Sequence, residues 1–163
     1  MLTTQVSRHF LLPSTLFASP DEYVIDTILG SCVAVCLFDQ RLKIGGINHY
    51  MLPLWNGDGL STPKYGNVAN EVLFERMLSL GSQQKDLVAK VFGGANQMGA
   101  AINVGERNAA IAIEQLQRYK IPIKAESLAG AVGRKIRFNN RTGEVLMKFL
   151  SNSNEKDKGT SCG

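Results

Sequence analysis

The sequence predicts a mixed α/β domain. Apolar runs with the two-residue period of strands occupy 23–29, 33–38 and 44–51. Two stretches, 65–80 and 103–119, carry apolar residues at helical spacing. A last pair of strand-like runs, 134–138 and 144–149, flanks the polar break 139–143 and reads as a terminal hairpin. At 163 residues, 44% hydrophobic and 20% charged, the chain can bury a sizeable core. Its net charge of +4 comes with no long Lys/Arg run, which argues against nucleic acid and against a membrane-surface patch. No apolar run is long enough to insert in a membrane.

His9-Phe10-Leu11-Leu12, stopped by Pro13, and Thr15-Leu16-Phe17 read as edge strands. His9, close to a terminus, reads as solvated rather than catalytic. Ser19-Pro20-Asp21 is a turn, and 23–29 then feeds Gly30-Ser31-Cys32.

The stretch 27–53 reads as a β-hairpin in which Val33, Val35 and Leu37 alternate with Ala34, Cys36 and Phe38. With a two-residue loop at Gln40-Arg41, Phe38 faces Lys43, and the same register sets Cys32 directly opposite His49. Opposed residues share a face with Cβ atoms roughly 4.5–5.5 Å apart, close enough for a thiol and an imidazole to share a proton. A one-residue change in the turn would send His49 to the other face. A free cysteine in a strand is usually a small buried hydrophobe, and a lone histidine usually a structural residue. Cys32 departs from that expectation because it sits at the mouth of its strand, behind Gly30-Ser31. Cys36, inside the run, reads as core.

Residues 54–66 read as a surface loop bordering a substrate groove. In 65–80 the apolar stripe is Val68, Val72, Leu73, Phe74, Met77, Leu78 and Leu80, closed by Gly81. Strand 87–92 opens into Gly93-Gly94-Ala95-Asn96, which matches neither the P-loop nor the dinucleotide fingerprint. The loop reads as a tight turn with close packing; the alternative is that its N–H groups border the active site. Ala109, Ala112, Ile113 and Leu116 form the face of the second helix, and 123–125 starts another strand. The basic residues of the terminal hairpin read as a solvated face. Residues 151–163 lack aliphatic and aromatic side chains and are expected to be disordered, which leaves 1–150 as a single domain. Three cysteines, one of them Cys162 in that tail, argue against a disulfide framework and for a reducing, cytoplasmic setting. Two histidines do not build a typical zinc site, so neither metal nor cofactor is expected.

Together these segments resemble the CheD family, the chemoreceptor glutamine deamidases of bacterial chemotaxis, over roughly residues 24–150. The most specific match is Thr27-Ile28-Leu29-Gly30-Ser31-Cys32-Val33-Ala34-Val35, followed by His49 and Met51-Leu52-Pro53. Lys64-Tyr65, Gly93-Gly94-Ala95, Gly105 with Arg107-Asn108, and Gly133-Arg134 support it. The resemblance implies a β-sandwich flanked by helices, similar to bacterial toxins that deamidate glutamine. It implies a Cys-His-Thr set: Cys32 as nucleophile, His49 as base and Thr27 as third member. Asp26 is the alternative third member, since a carboxylate orients the imidazole in other triads. Gly30, Ser31, Gly93 and Gly94 are then expected around the substrate or its oxyanion. The implied substrates are methyl-accepting chemotaxis proteins; the second option is a regulatory binding protein in which the same groove docks the phosphatase CheC and catalysis is secondary. Ser127-Leu128-Ala129-Gly130 departs from the family pattern, where an acidic residue and a glycine pair are more usual, and this bears on partner contacts. A cysteine peptidase or transglutaminase-like activity is a third option, because the same pair serves all acyl transfers.

Overall fold

The computed structural model describes residues 5–99 and 101–151. The elements run β1 (Ser7–Phe10), β2 (Thr15–Ser19), β3 (Tyr23–Leu29), β4 (Val33–Asp39), β5 (Ile44–His49), α1 (Gly66–Ser79), β6 (Leu87–Gly93), α2 (Val104–Arg118), β7 (Ile123–Leu128), β8 (Arg134–Asn139) and β9 (Val145–Phe149). They form a four-stranded sheet, β1-β3-β8-β9, and a five-stranded sheet, β2-β5-β4-β6-β7. The first two strands lie at sheet edges, as their sequences predict. The tail from residue 152 onward, including Cys162, lies outside the described residues, so its expected disorder is not addressed by the fold. No helix among the described residues is long and apolar enough to cross a membrane.

Strand alternation explains the layering. Ile25, Leu29, Ile136 and Phe138 of the four-stranded sheet meet Ala34, Cys36, Ile47 and Phe92 of the other, which makes a core between the sheets. Val33, Val35, Leu37, Ala89 and Val91 point the opposite way, against Leu73 and Met77 of α1 and Ala112 and Leu116 of α2. Every residue of β4 is therefore buried. Each large apolar side chain fully buried is worth roughly 1.5–3 kcal/mol, so a slip of β4 by one residue would unmake two cores at once. This is a sandwich with helices on one face.

The hairpin register differs from the expected one by two residues. Phe38 pairs with Gly45 and Asp39 with Ile44, leaving a four-residue connection. The Asp39 carboxylate builds it: Oδ1 accepts from the N–H groups of Arg41 (2.8 Å) and Leu42 (2.9 Å). Lys43, at φ 57°, donates its N–H back to the Asp39 carbonyl at 2.9 Å. A side chain that caps its own loop favours the longer turn. Because the shift is even, every side chain keeps its face.

Both helices depart from their expected stripes. In α1 the buried residues are Gly66, Ala69, Asn70, Leu73 and Met77, while Leu78 is exposed. In α2 they include Asn108, Ile111 and Gln115. The polar members are joined. Asn48 of β5 donates to Asn70 (2.8 Å), Asn70 to Gln115 (2.8 Å), and Gln115 to the Asn67 carbonyl (2.9 Å). The Asn48 oxygen accepts the N–H of Val35 at 2.9 Å. A satisfied chain of amides sets the helices on the sheet more specifically than apolar contact alone. Arg134 also departs from the solvated face expected of the terminal hairpin. It is buried, held by Ser127 Oγ (3.0 Å) and the Ala129 carbonyl (2.8 Å), with its guanidinium over the Phe149 ring. His9 is half-buried rather than solvated, stacked on Phe17.

Candidate active site

Cys32 stands between β3 and β4, where the chain crosses from one sheet to the other. The bridge between Val33 and Tyr50 continues the observed register, which sets Cys32 opposite Met51 and His49 opposite Ala34. His49 is thus the diagonal neighbour of Cys32 on the same face, not its direct partner. Diagonal neighbours stay within reach of long and aromatic side chains. Cys32 is partly buried against the inter-sheet core, and His49 is almost wholly buried.

Thr27 completes the group. Its Oγ1 lies 2.8 Å from His49 Nδ1 and donates to the Leu11 carbonyl, also at 2.8 Å. A hydroxyl has one proton. With that proton on Leu11, the contact to His49 is satisfied only if Nδ1 carries hydrogen and Thr27 accepts it. The Nε2 lone pair is then free, and Nε2 is indeed buried without a hydrogen-bond partner among the described residues. Such an atom is costly to bury and is suited to take a proton. Asp26 is not part of this group. One residue along β3, it pairs with Arg137 (2.9 Å) and Arg8 (3.2 Å) on the opposite face of the sheet. Burial raises its pKa, but the two guanidinium groups outweigh that and hold the carboxyl below its usual range.

The turn ahead of Cys32 is fixed from two sides. Gly94 donates its N–H to the Cys32 carbonyl (2.9 Å) and Ala95 donates to that of Gly30 (3.0 Å). The Gly94 N–H is therefore committed to the turn and is not offered to an oxyanion. From α2, the Asn108 amide donates to the carbonyls of Ser31 (2.9 Å) and Met51 (3.0 Å), and Tyr50 donates its hydroxyl to the Asn108 carbonyl at 2.5 Å. Asn108 thereby ties the entry of β4 to the exit of β5. As one of two polar residues on the buried face of α2, with Gln115, it carried a signal, but only the fold shows what it holds. Among the described residues no carbonyl accepts the N–H of Cys32.

Burial pulls the His49 imidazole from 6.5 down to about 4. Burial also pushes the Cys32 thiol up, with its own N–H working the other way. At neutral pH the site therefore holds a thiol beside a neutral imidazole. With His49 in the role of general base proposed below, kcat/KM is expected to stay level from pH 8 down to pH 5 and to halve near pH 4. An unshifted histidine would bring that limb near 6.5. The same group lowers stability on acidification: between 6.5 and 4 the unfolded chain binds a proton that the fold refuses, at a cost on the order of 3 kcal/mol. Rate and unfolding profiles across this range check both.

A thiol, an imidazole and an orienting hydroxyl at the end of a β-sandwich form a site equipped for attack on a carbonyl carbon. The chain matches the family model "CheD chemotactic sensory transduction" over residues 51–149. It is 52% identical to the probable chemoreceptor glutamine deamidase CheD of Trichlorobacter lovleyi over 145 residues, covering 87% of this chain and 90% of that one. It is 46% identical to the protein of the same name from Sulfurimonas denitrificans, covering 90% of this chain and 96% of that one. With that of Rhodospirillum rubrum the identity is 41%, covering 97% and 91%. The chain belongs to the CheD family.

Proposed function

We propose that this protein hydrolyses the side-chain carboxamide of glutamines in chemoreceptors, the methyl-accepting chemotaxis proteins, and does so in the cytoplasm. Relatives bearing the name chemoreceptor glutamine deamidase over nine-tenths of their length support the reaction. The observation that carries the mechanism is the Thr27–His49 contact, which leaves an unpartnered Nε2 on the face that Cys32 shares. His49 Nε2 takes the thiol proton as Cys32 Sγ bonds to the carboxamide carbon, and the Cys32 N–H meets the developing oxyanion. His49 then protonates the amide nitrogen, ammonia leaves, and a thioester remains. Water, deprotonated by His49, attacks the thioester; glutamate forms and the thiol is restored. Thr27 acts through His49 by holding the tautomer. The sum is glutamine plus water giving glutamate plus ammonia.

Peptide mass spectrometry of a chemoreceptor cytoplasmic domain incubated with the protein tests this. Glutamine residues converted to glutamate are the expected result; no conversion on any receptor offered, with both proteins folded, sinks the reading. A second reading adds docking of the CheC phosphatase at the same groove. Met98 and Ile102, exposed at 90% and 67% on the segment after the Gly93-Gly94 loop, offer apolar contact to a protein partner.

A further inference from the structure

Among the described residues no element packs on the outer face of the four-stranded sheet. The ladders place Arg8 and Phe10 of β1, Val24, Asp26 and Ile28 of β3, Lys135, Arg137 and Asn139 of β8, and Leu146 and Lys148 of β9 on this side. Three of these are large apolar side chains left open to solvent: Phe10 at 51%, Ile28 at 46% and Leu146 at 56%. The charge is one-sided, four cations to two carboxylates: Asp26 is already shared by Arg8 and Arg137, and Glu22, at the head of β3, accepts from Asn139 (3.2 Å).

Lys135 and Lys148 stand directly opposite each other across the β8–β9 ladder. Opposed like charges destabilise a sheet, and among the described residues neither lysine has an ion-pair partner. Both line a cleft of about 190 Å³ with Arg137 and Leu146. Ile28, paired with Lys135, lies four residues before Cys32, at most about 14 Å of extended chain away. The face thus presents apolar anchors and uncompensated positive charge beside the end of the sandwich that holds the site.

We propose that this face docks an acidic segment of the protein substrate, with carboxylates between Lys135, Arg137 and Lys148 and an apolar residue against Leu146 and Ile28, while the substrate glutamine reaches Cys32. The identity of the partner as substrate rests on the deamidase reading; the binding of acidic peptide by the face does not. Fluorescence anisotropy with a fluorescein-labelled hexaglutamate peptide tests the face alone, on the full chain and on K135Q/K148Q. The wild type is expected to bind and the double variant to bind about tenfold more weakly. With a receptor domain as substrate, the double variant is expected to raise KM about tenfold at unchanged kcat, and to leave KM for a short free glutamine peptide unaltered. Absence of hexaglutamate binding to the wild type overturns the proposal. So does equal binding by the double variant, or binding to phosphatidylserine vesicles in place of the peptide. Self-association through this face, seen as a dimer by sedimentation that K135Q/K148Q dissolves, overturns it too. If no receptor is deamidated at all, the deamidase reading fails, and the anisotropy still decides the docking face.

Discussion

Replacing Cys32 by alanine is expected to cut glutamine-to-glutamate conversion by at least about 10³-fold while the protein stays folded. The side chain is small, partly exposed, and at the rim of the inter-sheet core, so its truncation opens little space. Among the described residues the one other thiol, Cys36, is no substitute, because it is buried between the sheets and burial drives its thiol pKa far up. His49→Ala should fall as far, since nucleophile and base act as a unit and their losses do not add. Thr27→Val is the informative third variant. It removes the acceptor of the Nδ1 hydrogen, so a loss in kcat with KM little changed, recovered by Thr27→Ser, marks a positioning role. Asp26→Asn should leave kcat near that of the wild type, because its partners are Arg8 and Arg137 on the other face. Mass spectrometry of a receptor domain, with thermal unfolding of each variant alongside, reads all five.

Gly93→Ala is expected to be the most damaging substitution outside the reacting groups. Gly93 has φ 113°, a conformation that side chains rarely tolerate, and a Cβ there would run into the carbonyl oxygen of Cys32. That oxygen belongs to backbone bonded to Gly94, and the carbonyl of Gly93 accepts from Ala129, so neither side can yield without moving the turn. Strain and overlap together should cost about 3 kcal/mol, lowering Tm by roughly 6–12 °C. Activity should fall further than stability alone explains, since the displaced atoms carry the nucleophile. Gly59→Ala is the control: φ is again positive, at 71°, but nothing lies within 4 Å of the added Cβ. It should cost about 1 kcal/mol and leave the rate unchanged. Equal losses in the two variants would show that backbone strain, not contact with the Cys32 turn, sets the effect.

The comparison of Thr27 with Asp26 shows how far the sequence reaches. A strand puts successive residues on opposite faces, so one of the two had to face inward. Which one depends on the five-stranded sheet that packs against β3, whose Ala34, Cys36, Ile47 and Phe92 come from three separate strands. The hairpin teaches the same lesson differently. The expected two-residue loop put Cys32 and His49 on one face, and that placement holds with the four-residue loop because face is a parity and survives an even slip. Their offset along the strands was not legible, because it rests on Asp39 turning its carboxylate back onto its own loop.

By itself, then, the sequence determined the alternation of strands and helices, the glycine-bounded turn that exposes Cys32, and the residue types able to attack a carbonyl. These follow from local periodicity and from chemistry carried by single side chains. Tertiary structure alone decided the diagonal pairing of His49 with Cys32, the tautomer set through Thr27 and Leu11, the burial of Arg134, and the amide chain from Asn48 to Gln115. Each of these depends on polar groups from separate elements meeting in a dry interior. Hydropathy registers such residues only as interruptions, and their partners become visible when the layers close.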